Sequence, residues 1–299
     1  MIPIDLSGKL ALVTGVGDNM SFAWYIAKAL QAAGAKLVFA CHPRLVGIVE
    51  NILTRDHPDD VASRQLPFNA GTLKVEKVLA CDVSYDTLAD VDEKTRNDRR
   101  YAKHGDFSIQ GLMDTMLRDY GVIDILIHSI AFSPEIKNKA IATSRSAYLT
   151  ALSVSAYSLT ALLRAALPMM EHRPGGAAAV GLTYLGGERV VEHYGGGMSS
   201  AKAALQIDAK QLAANLGPKN IRVNLISAGP YASRAARAIT DIDKAIQQAA
   251  QNSPLRRPIT PEEVANTTAF LCSPLASAIT GEVIFVDCGF NIMGAPPEP

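Results

Sequence analysis

Leu10-Ala11-Leu12-Val13-Thr14-Gly15-Val16-Gly17-Asp18-Asn19-Met20-Ser21-Phe22-Ala23-Trp24 decides the fold. It opens with a run that is apolar at successive positions, as expected of a strand buried on both faces of a parallel sheet. A glycine turn follows, and then a helical pattern. Six further short runs have the character of strands: Lys36 to Cys41, Val75 to Cys81, Ile123 to Ser129, Ala177 to Thr183, Ile221 to Ile226 and Val283 to Asp287. Helical patterns lie between them at Ala23 to Ala33, Ile109 to Tyr120, Ser144 to Met170, Met198 to Leu216 and Pro261 to Leu271. The last begins Thr260-Pro261-Glu262-Glu263, an N-cap, a proline at N1 and acids in the first turn. Gly34 and Gly217 stand where two helices should stop. Strand–helix alternation of this kind predicts an α/β, doubly wound (Rossmann) seven-stranded parallel sheet with helices on both faces. Residues 1–299 show no repeat and no linker, so one domain is expected.

Composition narrows the function. Basic and acidic residues balance at 29 each, which argues against binding nucleic acid or anionic membrane through a basic excess. Charged residues are only 19% of the chain and hydrophobic ones 48%, a composition for buried helices or an oligomer rather than for disorder. No apolar run reaches the roughly 18 residues of a bilayer span, and Met1 to Lys9 lacks the pattern of a secretory signal. Cys41, Cys81, Cys272 and Cys288 are far apart and form no C-x-x-C pair, so buried thiols in a cytosol-like compartment are expected. No metal site is expected.

Two segments break the alternation. Residues 84–105, rich in charge, separate the third strand from its helix, and a loop that long is usually functional or mobile. Residues 229–258 follow the sixth strand, with helical character at Arg234 to Ile239 and Asp241 to Gln251. Ligands of doubly wound sheets bind beyond the carboxyl ends of the strands, so this second insert stands where a small substrate lid would stand.

The turn after the first strand has the makings of a phosphate site. Gly15 supplies the tight turn, and Ser21 and Ala23 are small enough for a pyrophosphate to approach the helix N-terminus. The full G-x-G-x-x-G is missing, and taken alone the turn is as compatible with tight packing. The second strand ends Cys41-His42-Pro43-Arg44 with no acid to grip a ribose. Arg44 could meet a 2′-phosphate or be solvated; His42 could stack on adenine or lie on the surface. These residues leave NADPH open beside NADH.

After the fifth strand come Tyr184 and Tyr194, then Gly195-Gly196-Gly197-Met198-Ser199-Ser200-Ala201-Lys202. A lysine there can bind ribose hydroxyls, and its charge would favour phenolate character in a neighbouring tyrosine. A tyrosine donating to a developing enolate combines general-acid and oxyanion chemistry. A Tyr–Lys pair at this spacing also arises by chance. The three glycines suggest a backbone held close to something.

Together these stretches resemble the enoyl-acyl-carrier-protein reductases, a divergent branch of the short-chain dehydrogenase/reductases, over nearly the whole chain from Ile4. The turn fits the family's G-x5-S-x-A form at Gly15, Ser21 and Ala23. Cys81-Asp82-Val83, His128-Ser129-Ile130-Ala131-Phe132, the Tyr184/Tyr194/Lys202 set and Asn224 to Pro230 supply further blocks, with Ser273 to Gly281 near the C-terminus. Lysine eight residues after the tyrosine, and the 84–105 insert, look like the plastid-type branch. His42 stands where that branch usually has tryptophan, and Asn19-Met20-Ser21 is closer to the bacterial form.

The resemblance implies NADH-dependent reduction of trans-2-enoyl thioesters on acyl-carrier protein, the last step of fatty-acid elongation. It implies Tyr194, Lys202 and Tyr184 as catalytic residues, Tyr184 lining the acyl pocket. Around the cofactor it implies Gly15, Ser21 and Phe22 at the pyrophosphate turn, and His42, Asp82 and Val83 at adenine. Ser129, Ile130, Ala131 and Lys202 would lie near the ribose, and Gly229, Pro230 and Ser233 near the nicotinamide and phosphate. Arg234, Arg237 and Lys244 could receive the acidic carrier or form a solvated face. A homotetramer is implied, in a bacterial cytoplasm or, had a transit segment been trimmed, a plastid stroma. Two other readings compete. A ketone or alcohol reductase of the same fold is disfavoured because Gly181, not serine, lies thirteen residues before Tyr194. A non-catalytic dinucleotide sensor predicts loss of the turn, tyrosine or lysine, and all three are present.

Overall fold

In a computed structural model, residues 4–192, 194–237 and 242–295 are described. Seven strands form one wholly parallel sheet: β1 (Leu10–Thr14), β2 (Lys36–Cys41), β3 (Lys77–Ala80), β4 (Ile125–His128), β5 (Ala177–Thr183), β6 (Ile221–Ala228) and β7 (Val283–Val286). Their order is β3-β2-β1-β4-β5-β6-β7, so the winding reverses between β1 and β4. Strand β3 starts two residues later than Val75, β4 starts two residues later than Ile123, and β6 runs two residues past Ile226.

The twofold alternation of a strand explains both cores. On β1, Ala11 and Val13 join one cluster and Leu10 and Leu12 the other; on β2, Leu37 and Phe39 oppose Val38 and Ala40. The first face is covered by α1 (Phe22–Ala32), α2 (Val46–Thr54) and, from the far end of the chain, Pro261–Cys272. Helix α1 starts at Ser21, whose side chain accepts from the Trp24 N–H, and Trp24 is wholly buried, its indole donating to Ser63 O at 3.0 Å. Val46–Thr54 and α3 (Pro58–Ser63) lie in a stretch where the apolar pattern had given no helix.

Residues 84–105 are folded rather than a bare loop. They hold a 3-10 turn at Leu88–Asp90, α4 (Glu93–Asn97), capped by Asp92, and α5 (Arg99–Ala102), capped by Asp98. Val91 and Tyr101 pack with Phe107 in a small core of their own. The second face of the sheet carries α6 (Ile109–Asp119), α8 (Ser158–Met170) and α9 (Met198–Leu216), and α7 (Arg145–Leu152) packs through Ala151 on Met198 and Ala201 of α9. A π-helical turn, Ser153–Tyr157, joins α7 to α8. Contrary to expectation, the stretch Arg145–Met170 is long and apolar enough to cross a membrane by length and composition. Leu159, Leu162, Leu163 and Ala166 are nevertheless buried against the sheet, as in a core helix. The second insert holds α10 (Arg234–Arg237) and α11 (Ile242–Asn252); the expected helical positions 238–241 lie outside the described residues. The last helix is α12 (Pro261–Cys272), entered through a reciprocal Thr260–Glu263 capping box.

Candidate active site

One large cavity, about 1450 Å³, opens along the carboxyl ends of the strands. It exceeds the few hundred to about 1,000 Å³ of a pocket for one small ligand and spans the crevice where the strand order reverses. Every residue expected at the site lines it: Gly15, Ser21, Phe22, His42, Asp82, Val83, Ser129, Ile130, Ala131, Tyr184, Tyr194, Lys202, Gly229, Pro230 and Ser233.

Gly15 has φ +78°, and a Cβ there would come within 2.1 Å of Ser129 O. Only glycine lets the β1 turn lie against the end of β4. The N-terminus of α1 then faces the cavity, capped by Ser21, whose hydroxyl donates to Asp18 O at 2.8 Å. N–H groups at a helix start, beside a turn stripped of side chain, suit a pyrophosphate.

Tyr184 and Tyr194 meet edge to face with ring centroids 4.9 Å apart. Tyr194 lies on Gly186, where a Cβ would be 2.7 Å from its ring. Gly195 and Gly196 lie against the segment after β4, where a Cβ on Gly195 would fall 1.8 Å from Asn138 O, and Gly197 lies against Tyr148 of α7. Lys202, in the first turns of α9, is buried and donates to Leu182 O at 2.7 Å. That bond uses one of its three N–H groups. Burial lowers the ammonium to about 8. The expected pull of Lys202 toward a phenolate is not what the structure displays. Burial, and then Tyr184, hold the Tyr194 phenol well above its ordinary value, so it stays protonated. A protonated phenol is a donor, which is what a developing oxyanion needs.

Behind the lysine, His128 is fully buried. Ser158 donates to Val154 O at 2.7 Å, so at 2.7 Å from the same hydroxyl His128 Nε2 is the donor. Burial, and then Lys202, lower the imidazole to about 3, keeping it neutral. Among the described residues its Nδ1 is the one buried side-chain polar atom without a partner.

The end of β2, which carries no acid of its own, is tied to one from β3 through a chain of side chains. Arg44 N–H donates to His42 Nδ1 at 3.3 Å, so Nε2 carries the proton and donates to the Tyr101 hydroxyl at 3.0 Å. Tyr101 donates in turn to Asp82 Oδ2 at 3.2 Å. Burial alone would raise the Asp82 carboxyl, but the His42 ring 3.4 Å away and hydrogen bonds from Ser84 outweigh it and hold it down. Tyr101 comes from the 84–105 insert and lines the cavity, and nothing in its sequence surroundings pointed there. Asp18 and Arg189 were missed as well. Asp18 is buried in the turn and paired with Arg234 Nε at 3.1 Å, and the largely exposed Arg234 also lines the cavity. Arg189 donates to Met293 O at 3.2 Å, drawing the chain's C-terminal segment to the cavity mouth.

A family profile described as enoyl-(acyl carrier protein) reductase matches residues 103–291. The chain belongs to that family. The chloroplastic enoyl-[acyl-carrier-protein] reductase [NADH] 2 of Oryza sativa subsp. japonica is 47% identical to this reductase-family chain, covering 98% of it and 78% of the relative. The Nostoc reductase [NADH] FabI is 40% identical, covering 97% and 99%. Among solved structures, the Plasmodium berghei enoyl-acyl-carrier-protein reductase with triclosan superposes with a TM-score of 0.90 at 38% identity, covering 97% of this family member and all of that chain. The Aquifex aeolicus reductase (NADH) gives a TM-score of 0.76 at 37% identity, covering 97% and 99%.

Proposed function

We propose that the protein reduces trans-2-enoyl thioesters carried on acyl-carrier protein to the saturated acyl thioesters, with NADH as reductant. One observation carries this reading: the phosphate turn, the buried Lys202 and the protonated Tyr194 all open onto one cavity large enough for a dinucleotide and an acyl chain together. When bound, NADH supplies the hydride. Gly15, Ser21 and Phe22 would hold its pyrophosphate, and His42, Asp82 and Val83 would border adenine. Lys202 would anchor the nicotinamide ribose with the N–H groups not given to Leu182, and Ser129, Ile130 and Ala131 would flank it. Gly229, Pro230 and Ser233 would hold the nicotinamide end.

As the β-carbon is reduced, negative charge gathers on the thioester carbonyl oxygen. Tyr194 donates a hydrogen bond to that oxygen, and the fixed ammonium of Lys202 nearby adds favourable charge in a site sheltered from water. As the enolate collapses its α-carbon takes up a solvent-derived proton, giving the saturated thioester. Tyr184 supports the ring of Tyr194 and faces the acyl chain, with Ile242, Ala245 and Ala249 of α11 supplying apolar wall.

We further assign residues 1–299 to one reductase domain with α10 and α11 as its lid. Arg234, Arg237 and Lys244, on α10 and α11, would receive the acidic carrier. A homotetramer fits the apolar side chains left exposed on α7 and α9, notably Leu149 and Ile207. Free thiols, with Cys41, Cys81 and Cys272 buried, suit a reducing compartment, a bacterial cytoplasm or a plastid stroma.

The test is to follow nicotinamide absorbance with a short trans-2-enoyl thioester. Wild type should oxidise NADH. Tyr194→Phe should lower kcat by roughly 10²-fold or more with little change in NADH binding, and Lys202→Ala should weaken NADH binding. Turnover undiminished in Tyr194→Phe would remove the tyrosine from the chemistry.

A further inference from the structure

The adenosine end of the cavity holds a cation that is already matched. Arg44 lines the cavity just after β2, the place where a basic side chain can receive the 2′-phosphate that distinguishes NADPH from NADH. Its guanidinium does not stand free there. It lies over the Tyr101 ring at 5.3 Å from the centroid and 3.7 Å from Asp98 Oδ2. Both partners come from α5 and its cap in the 84–105 insert. They are held from several sides. Tyr101 packs edge to face on Phe107 at 4.9 Å and is tied through its hydroxyl to His42 and Asp82. Asp98 accepts from the Arg100 N–H at 2.9 Å and from its guanidinium at 2.7 and 3.1 Å. Those bonds keep the carboxylate well below its usual range, so it is charged at any physiological pH.

We propose that the insert is a cofactor-selectivity element: Asp98, with Tyr101 beneath, holds the Arg44 guanidinium so that a 2′-phosphate must compete for it, disfavouring NADPH. The proposal rests on the dinucleotide reading above and adds the residues that choose between the two dinucleotides. A 2′-phosphate must compete with Asp98 for Arg44. A ribose bearing a 2′-hydroxyl does not meet that penalty. The pair is partly exposed, so the discrimination contributed by Asp98 is modest, about three- to tenfold.

Binding of 2′,5′-ADP and of 5′-AMP to the full chain, by calorimetry, reads this without catalysis. Asp98→Asn keeps the side-chain oxygen that caps α5 and should preserve the fold. It should tighten 2′,5′-ADP about three- to tenfold and leave 5′-AMP within twofold. Adding Arg44→Ala should abolish the gain. Unchanged 2′,5′-ADP affinity in a folded Asp98→Asn protein, or a gain that survives Arg44→Ala, would overturn the proposal. Wild type that binds neither nucleotide would refute the dinucleotide reading beneath it.

Discussion

Tyr194 and Lys202 divide the work because burial acts on them in opposite directions. Desolvation penalises the charged form of each, so the phenol is pushed up and stays neutral while the ammonium is pulled down to about 8. The sign of the pH response follows. Below about 8 Lys202 is charged and, with one N–H on Leu182 O, has two left for ribose hydroxyls; as pH rises through that value it becomes neutral. Tyr194 keeps its proton over the same interval. Measured kcat/KM for NADH should therefore fall as pH rises through about 8, and kcat at saturating NADH should fall less. A profile flat to pH 10 would mean that the ammonium is not needed for binding. The donor geometry depends on small neighbours: Gly186 beneath the Tyr194 ring, and Gly195 against Asn138 O. The glycine run was legible as a close approach of backbone, but the partner was not, because Ile136 to Asn138 is more than fifty residues distant in sequence.

Among the elements, the turn after β1 and α10 are joined by the ion pair of Asp18 and Arg234. One partner is buried and the other largely exposed, so the pair is worth at most about 1 kcal/mol. Arg234→Gln should raise KM for NADH a few-fold and leave kcat nearly unchanged, with the difference shrinking in high salt. An equal effect at low and high salt would assign the loss to packing instead. The β1 turn was readable because glycine, small residues and an N-cap follow one another locally. The pairing with Arg234 was not, since a surface-looking arginine more than two hundred residues away carries no local mark. The 84–105 insert shows the same limit. Its charge density suggested a loop, yet Asp92 and Asp98 are helix caps, and Val91 and Tyr101 bury themselves against Phe107.

At the scale of the molecule, β1, β2 and β5 begin and end where their apolar runs do, because strands buried on both faces admit few polar residues. Strand β3 is shorter than its run: it lies at the sheet edge and pairs only with β2, from Lys77. Helix α2 was hidden because its apolar residues, Val46, Val49 and Ile52, follow a turn with no side-chain cap. The sheet places the turn, the tyrosines and the lysine at one end through its reversal between β1 and β4, and enoyl reduction is the chemistry this convergence serves. Mass spectrometry of the product formed from a trans-2-enoyl thioester and NADH deuterated at both C4 positions tests it most directly. Enoyl reduction predicts one deuterium, on the β-carbon, and one solvent-derived hydrogen on the α-carbon. Recovery of the unsaturated thioester without deuterium, or deuterium on the carbonyl carbon, would contradict it.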